Sequence, residues 1–380
     1  MIYAHPDRLH SDSKKWQKYA GQDVLPMWIA DADFVVDEAI VAALEKRLKH
    51  AVFGYGGETE ALRDAIVAYC ARQYGWTIAR EWIVFLPGVV PGLNFARAVS
   101  ILRGKCAAIT SMPTYPHLFN QPAMLSCKHH GVDCRLQDEH WAPDFAGLDA
   151  AVDEHTGLLL LCHPHNPLGR VHTEAELEAY HALAKKHDLI VCSDEIHCDL
   201  ILNGTRHRPF ASLDDDALQR TITLMAPSKT WNIAGLCCAF AIIANDDLRR
   251  DFERTTLGMN DVNVLGTHAA LAALEHGEPW RQALIARLRE LADYTFTRVN
   301  TMPYLRMAPV EGTYLAWIDA RDVPVENAQC FFEAHGVGLN DGADYGWPGF
   351  VRLNFACDKF LLDEALARME KALAGLPKQK

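Results

Sequence analysis

The chain has 380 residues, 49% of them apolar and 23% charged. That is about twice the usual single-domain length, so two domains with ample core are expected. With 37 Lys and Arg against 49 Asp and Glu, the net charge of -12 argues against nucleic acid or an anionic membrane as a partner.

Eleven cysteines are scattered without a short repeating frame. Several, Cys162, Cys192, Cys237 and Cys238, lie in strand-like runs. This suits buried, reduced thiols and a cytoplasmic protein better than a disulfide scaffold. The N-terminal Met1-Ile2-Tyr3-Ala4-His5-Pro6-Asp7 has no basic region followed by an apolar core, so no signal peptide is expected. The apolar runs are too short to span a bilayer.

Residues 1–30 lack strong periodicity and end in Leu25-Pro26-Met27-Trp28-Ile29-Ala30, an apolar arm that the body or a partner subunit must cover. Residues 37–50 carry Ile40, Ala43, Leu44 and Leu48 at helical spacing. Gly54-Tyr55-Gly56-Gly57 is a loop break, and residues 59–74 are helical again. Trp82-Ile83-Val84-Phe85 reads as a strand, followed by Pro87-Gly88-Val89-Val90-Pro91-Gly92 and a helix over 93–102. Strand, glycine turn and helix frame a phosphate well, because backbone N–H groups point out of a helix N-terminus. The same pattern also serves ordinary strand-to-helix turns. The next strand, 106–110, leads to Tyr115, which either stacks on a flat ring or simply shapes a turn. Cys127, His129, His130 and Cys134 match none of the common zinc spacings, so no metal is expected.

Leu158-Leu159-Leu160-Leu161-Cys162 is a buried strand. It runs into His163-Pro164-His165-Asn166-Pro167-Leu168-Gly169-Arg170, an irregular loop in which Pro167 keeps Asn166 out of the helical region. Thr173 with Glu176 forms a capping box for a helix reaching about residue 187. The following strand, Leu189-Ile190-Val191-Cys192, delivers Ser193-Asp194-Glu195-Ile196-His197. A later one, Thr221-Ile222-Thr223-Leu224-Met225, delivers Ala226-Pro227-Ser228-Lys229. Helix between parallel strands is the βαβ signature. Ligands of such sheets bind at the carboxyl ends of the strands. An acid and a lysine converging there suit pyridoxal 5'-phosphate: the lysine condenses with the aldehyde, and the acid keeps the pyridine nitrogen protonated. Beyond Lys229 come a strand over 236–244, helices over 247–256 and 265–275, and a long amphipathic helix over 278–299. Strands over 313–318 and 350–355 with helices over 325–335 and 360–373 make a small α+β unit.

Taken together, these motifs resemble the fold-type I pyridoxal-phosphate enzymes, and within them the MalY/PatB-type cystathionine β-lyases. The resemblance runs from Met27-Trp28-Ile29-Ala30-Asp31-Ala32-Asp33-Phe34 through Phe53-Gly54-Tyr55, Asn166-Pro167-Leu168-Gly169, Ser228-Lys229-Thr230-Trp231-Asn232-Ile233 and Thr313-Tyr314-Leu315-Ala316-Trp317 to Phe350-Val351-Arg352-Leu353-Asn354. It implies an α/β aminotransferase-like fold with a mostly parallel seven-stranded sheet. The implied division is an arm (1–36), a large cofactor domain (37–280) and a small α+β domain (281–380). Lys229 is then the Schiff-base lysine and proton shuttle, and Asp194 pairs with the pyridinium nitrogen. Asn166 bonds the phenolic oxygen, with His197 close by where aminotransferases carry a Tyr. Tyr115 stacks on the ring. Gly88, Val89, Val90 and Ser228 cradle the phosphate. Tyr55, counted with Lys229 as catalytic, reaches the phosphate of a neighbouring subunit, which implies a homodimer with shared sites. Arg352 grips the substrate carboxylate, with Ala30, Asn166 and Tyr115 lining the substrate position.

The chain departs from the pattern in several places. Ala226 stands where a phosphate-binding Ser is common, and Cys237 where aminotransferases place an Arg. Asn340-Asp341 replaces an expected Ser/Met-Pro pair, and His163 and His165 are atypical. The implied reaction is α,β-elimination of an L-cysteine S-conjugate such as L-cystathionine to thiol, pyruvate and ammonia. The alternatives are an aminotransferase, favoured less because of Cys237, and a regulatory protein that binds the cofactor but acts through a partner.

Overall fold

The structure, a computed structural model, describes residues 6–57, 59–120 and 127–377; the first five residues of the leader reading lie outside them. In chain order the elements that position the site are α1 (Glu38–His50), α2 (Glu60–Tyr74), β1 (Ile83–Leu86), α3 (Val89–Leu102), β2 (Ala107–Met112), β3 (His129–Asp133), β4 (Thr156–Cys162), α4 (Glu174–Lys186), β5 (Ile190–Asp194), β6 (Thr221–Met225), β7 (Ala239–Ile242), α5 (Asp246–Thr255), α6 (Val264–His276), α7 (Glu278–Thr301), β8 (Leu315–Asp319), β9 (Phe350–Asn354) and α8 (Lys359–Ala374).

Strands β1 to β7 form one sheet in the order β1-β7-β6-β5-β4-β2-β3. β7 runs antiparallel to β1 and β6, while the contacts from β6 across to β3 are parallel. The unbroken apolar run of β4 is explained by burial on both faces. Leu158 and Leu160 pack with Leu93, Ala96 and Val99 of α3 on one side. Leu159 and Leu161 pack with Leu177, Tyr180 and Leu183 of α4 on the other. This is the period-two alternation of a strand expressed as two cores.

Element ends differ from expectation for local reasons. α3 begins at Val89, four residues early: Gly88 is its N-cap, and Pro91 sits in the first turn, where a missing N–H costs nothing. The strand expected from 236 begins at Ala239, because residues 234–236 make a 3₁₀ turn closed by Cys237 at φ 49°. The helix expected over 325–335 shrinks to Ala328–Ala334, capped by Asn327. β3 was not anticipated: it is a sheet edge, so its residues are mostly polar and only partly covered. It absorbs His129 and His130 into a strand. Along α1, only Ile40 of the expected apolar face is buried, and Leu48 stands 50% exposed.

The 24-residue α7, about 36 Å long, leads to a second, antiparallel sheet. There β8 pairs with β9, and Asn340–Asp341 pairs with β9 on its other side. The arm joins this region, with Leu25–Pro26 pairing parallel to Val337–Gly338. Asp33 ties the arm down, accepting from Lys15 Nζ (2.6 Å), Arg8 Nη1 (2.6 Å) and Trp16 Nε1 (2.9 Å). Among the described residues, no helix is long and apolar enough to cross a membrane.

Candidate active site

A cavity of about 370 Å³ opens at the carboxyl ends of β1, β2, β4, β5 and β6. It gathers Ala30, Gly88, Val89, Val90, Tyr115, Asn166, Asp194, His197, Ser228, Lys229 and Arg352, which is every site residue named from the sequence except Tyr55. Tyr55 is fully exposed on the loop after α1, away from this chain's cavity.

Lys229 follows β6 and donates from Nζ to Ala30 O at 2.7 Å. Burial lowers its pKa to about 8, with Arg352 pushing the same way and Asp31 and Asp194 opposing. Asp194 ends β5, with Oδ1 accepting from the Ile196 N–H at 3.2 Å. Burial raises its pKa to about 7; Glu195 adds to this, while the Ile196 N–H and Lys229 oppose it. The adjacent acid has another task. Glu195 turns from the cavity into the core and accepts from Ser193 Oγ (2.8 Å), the Phe210 N–H (3.0 Å) and His207 Nε2 (2.7 Å). A buried carboxylate needs such donors, and Asp194, with a single backbone donor, is the one left for a cation in the cavity.

Arg352 comes from β9. It donates from Nη1 to Asn166 Oδ1 (2.9 Å) and from Nη2 to Trp28 O (3.0 Å) and Asn340 Oδ1 (2.6 Å), and lies over the Tyr345 ring at 4.7 Å. His197 is buried, and burial lowers its pKa to about 3, helped by Lys229 and Arg352, so its ring is neutral and Nδ1 has no partner. Burial, aided by Asp194, raises the Tyr115 hydroxyl to about 12.

These residues fit pyridoxal phosphate. Val89 and Val90 open a 14-residue helix whose N-cap, Gly88, supplies no side-chain bond, so its first N–H groups face an anion site beside Ser228. A lysine with a lowered pKa, a lone buried carboxyl group and the unpartnered His197 Nδ1 meet around a slot walled by Tyr115 and Ile196.

Of the departures, Ala226 is buried among core side chains rather than in the cavity, and Cys237 is exposed outside it. His163 and His165 join His172 and His207 in a buried stack behind the site, with His163 and His207 ring centroids 4.5 Å apart. Asn340 lies in the cavity wall, whereas Asp341 turns away to Asn327. Sequence reasoning gave no role to Trp28, Ile29, Tyr345 or Ala234, all of which line the cavity.

A mostly parallel α/β sheet that delivers a lysine, an acid and a helix N-terminus to one edge, with an arginine from a second sheet, defines an aminotransferase-fold protein. The chain belongs to the aminotransferase class I and II family, whose model matches residues 29–369. It is 35% identical to cystathionine beta-lyase PatB of Bacillus subtilis (strain 168), covering 97% of this chain and 98% of that protein. The crystal structure of OvoB superposes with a TM-score of 0.95 at 45% identity, covering 99% of this chain and all of the other. Cystalysin from Treponema denticola, whose crystal structure contains a pyridoxal 5'-phosphate cofactor, superposes with a TM-score of 0.93 at 29% identity, covering 99% of each chain.

Proposed function

We propose that this protein is a pyridoxal-phosphate-dependent carbon–sulfur β-lyase that converts an L-cysteine S-conjugate, L-cystathionine among them, and water to a thiol, pyruvate and ammonia. The observation that carries the reading is Lys229 with its lowered pKa facing the same cavity as Arg352 and Asp194. Relatives with C–S lyase names over nearly the full length support it.

When bound, pyridoxal phosphate supplies an aldehyde for the substrate amine and a ring that accepts electrons. Val89, Val90 and Ser228 would hold the phosphate, Asp194 the ring nitrogen, and Asn166 and His197 the phenolic oxygen. Arg352 holds the substrate carboxylate and so sets which bond at Cα stands ready to break. Lys229 Nζ takes the Cα proton. It serves as a base at neutral pH because burial and Arg352 lower its pKa. The thiol then leaves from Cβ.

Tyr55, Phe53, Val52 and Leu48 form an exposed apolar group, which supports a homodimer in which Tyr55 completes the partner's site. Eleven cysteines with no disulfide among them suit a reducing compartment such as the cytoplasm. The decisive experiment gives the holoenzyme L-cystathionine or an S-alkyl cysteine without any keto acid. Pyruvate with stoichiometric thiol supports the lyase, and Lys229→Ala should abolish both. Conversion of the cofactor to its amine form without pyruvate would make the protein an aminotransferase.

A further inference from the structure

Arg352 carries more protein acceptors than a carboxylate-binding arginine can keep. A guanidinium grips a carboxylate with two prongs either end-on, through Nη1 and Nη2, or side-on, through Nε and Nη2. Both grips need Nη2. Its two N–H groups are taken by Trp28 O at 3.0 Å and Asn340 Oδ1 at 2.6 Å, while the buried Nε has no partner.

One of these acceptors must yield to substrate. The Trp28 carbonyl belongs to a pinned backbone: the Met27 N–H donates to Gly338 O (2.8 Å), the Asn354 N–H to Met27 O (2.8 Å) and Asn354 Nδ2 to Ile29 O (2.7 Å). Asn340 holds Nη2 with a side chain alone. Asn340–Asp341 pairs with β9 so that Asn340 stands directly opposite Arg352, and Asn340 lines the cavity. Asp341, one residue on, faces the other way and is spent on Asn327 Nδ2 (2.7 Å) and the Ala343 N–H (3.0 Å).

We propose that Asn340 is a displaceable latch on Arg352 and a specificity-determining residue for the substrate carboxylate. Its amide oxygen stands where one carboxylate oxygen docks. Substrate displaces it, and half a turn about the last side-chain torsion makes the same amide a donor to that carboxylate. Asn340 thus changes from acceptor to donor, which an aspartate at this position could not do. The inference rests on the reading of Arg352 as the carboxylate site.

The test uses Asn340→Asp and Asn340→Ala in the cofactor-loaded enzyme, probed with L-alanine, which has the amine and carboxylate but no leaving group. Propylamine, which lacks the carboxylate, is the control. Binding is followed through the cofactor's absorbance, and thermal melting checks the fold. Asn340→Asp should weaken L-alanine by about a hundredfold or more, and Asn340→Ala by roughly tenfold, with propylamine unchanged. In turnover, KM should rise with kcat nearly constant. L-Alanine binding equal to wild type in both variants would overturn the latch, whatever the reaction. If L-alanine binding depends on Asn340 but the wild type frees no thiol from any conjugate, the latch stands and the lyase reading falls.

Discussion

Replacing Asp194 by Asn in the cofactor-free protein should stabilise it, and by an amount that depends on pH. The carboxyl group is 3% exposed, with a pKa raised to about 7 by burial, against about 4 in an unfolded chain. Between pH 4 and 7 the unfolded chain has released its proton and the folded one has kept it. Rising pH therefore favours unfolding across that window, and above pH 7 the loss is complete. Three units correspond to about 4 kcal/mol as an upper bound. Relaxation and the attraction of Lys229 reduce this, so about 2–3 kcal/mol is expected at pH 8, with no difference at pH 4. The assay is urea unfolding of cofactor-free wild type and Asp194→Asn at half-unit steps from pH 4 to 8. Saturating pyridoxal phosphate should reverse the ranking, because the carboxylate then has a cationic partner. Stability curves that stay parallel over the whole pH range would refute the assignment of Asp194 as a desolvated acid held by a single backbone donor.

Lys229→Met should likewise stabilise the cofactor-free protein at pH 7. The lysine's folded pKa of about 8 lies below its unfolded value, so the wild type recovers stability as pH rises from 8 towards 10.5 and the advantage fades there; urea midpoints at pH 7 and 10 decide it. Lys15→Met breaks a fully buried pair with Asp33. Because Arg8 and Trp16 still serve Asp33, the cost should fall near the lower end of the usual range, about 3 kcal/mol. It should appear as roughly hundredfold faster hydrogen exchange at the Met27 and Asp33 amides, and unchanged exchange would sink it. Arg352→Leu leaves Asn166 and Asn340 without their donor and should cut kcat/KM by roughly 10²–10³-fold, measured by pyruvate release.

Asp194 and Lys229 were legible because each follows a strand-like run, Leu189–Cys192 for the one and Thr221–Met225 for the other, as buried parallel strands do. The carboxyl edge of such a sheet then fixes where they meet. Asn166 was legible through its proline, and the helix N-terminus after β1 through its glycine. Asn340 drew attention only as an oddity, because a two-residue strand has no period to read. Glu195 and Asp194 look alike in sequence. They separate only when Ser193 and, twelve and fifteen residues downstream, His207 and Phe210 converge on Glu195. Tyr55 was legible as part of a motif, but within this chain it stands exposed outside the cavity.

The arm shows the deeper limit. Trp28 and Ala30 hold the two cavity cations through backbone carbonyls, Trp28 O on Arg352 and Ala30 O on Lys229. Every residue type supplies a carbonyl, so no side-chain pattern can announce this role. What the sequence can record is the anchoring of that backbone: Asn354 Nδ2 on Ile29 O and Asp31 O, and the buried Lys15 and Asp33 just beyond. Those polar residues would be costly in a core without a purpose. They anchor two carbonyls between the sheet that delivers Lys229 and the sheet that carries Arg352. Loosening the arm at Lys15 should therefore raise KM through Arg352 and shift the pH dependence of turnover through Lys229 together, although Lys15 touches neither.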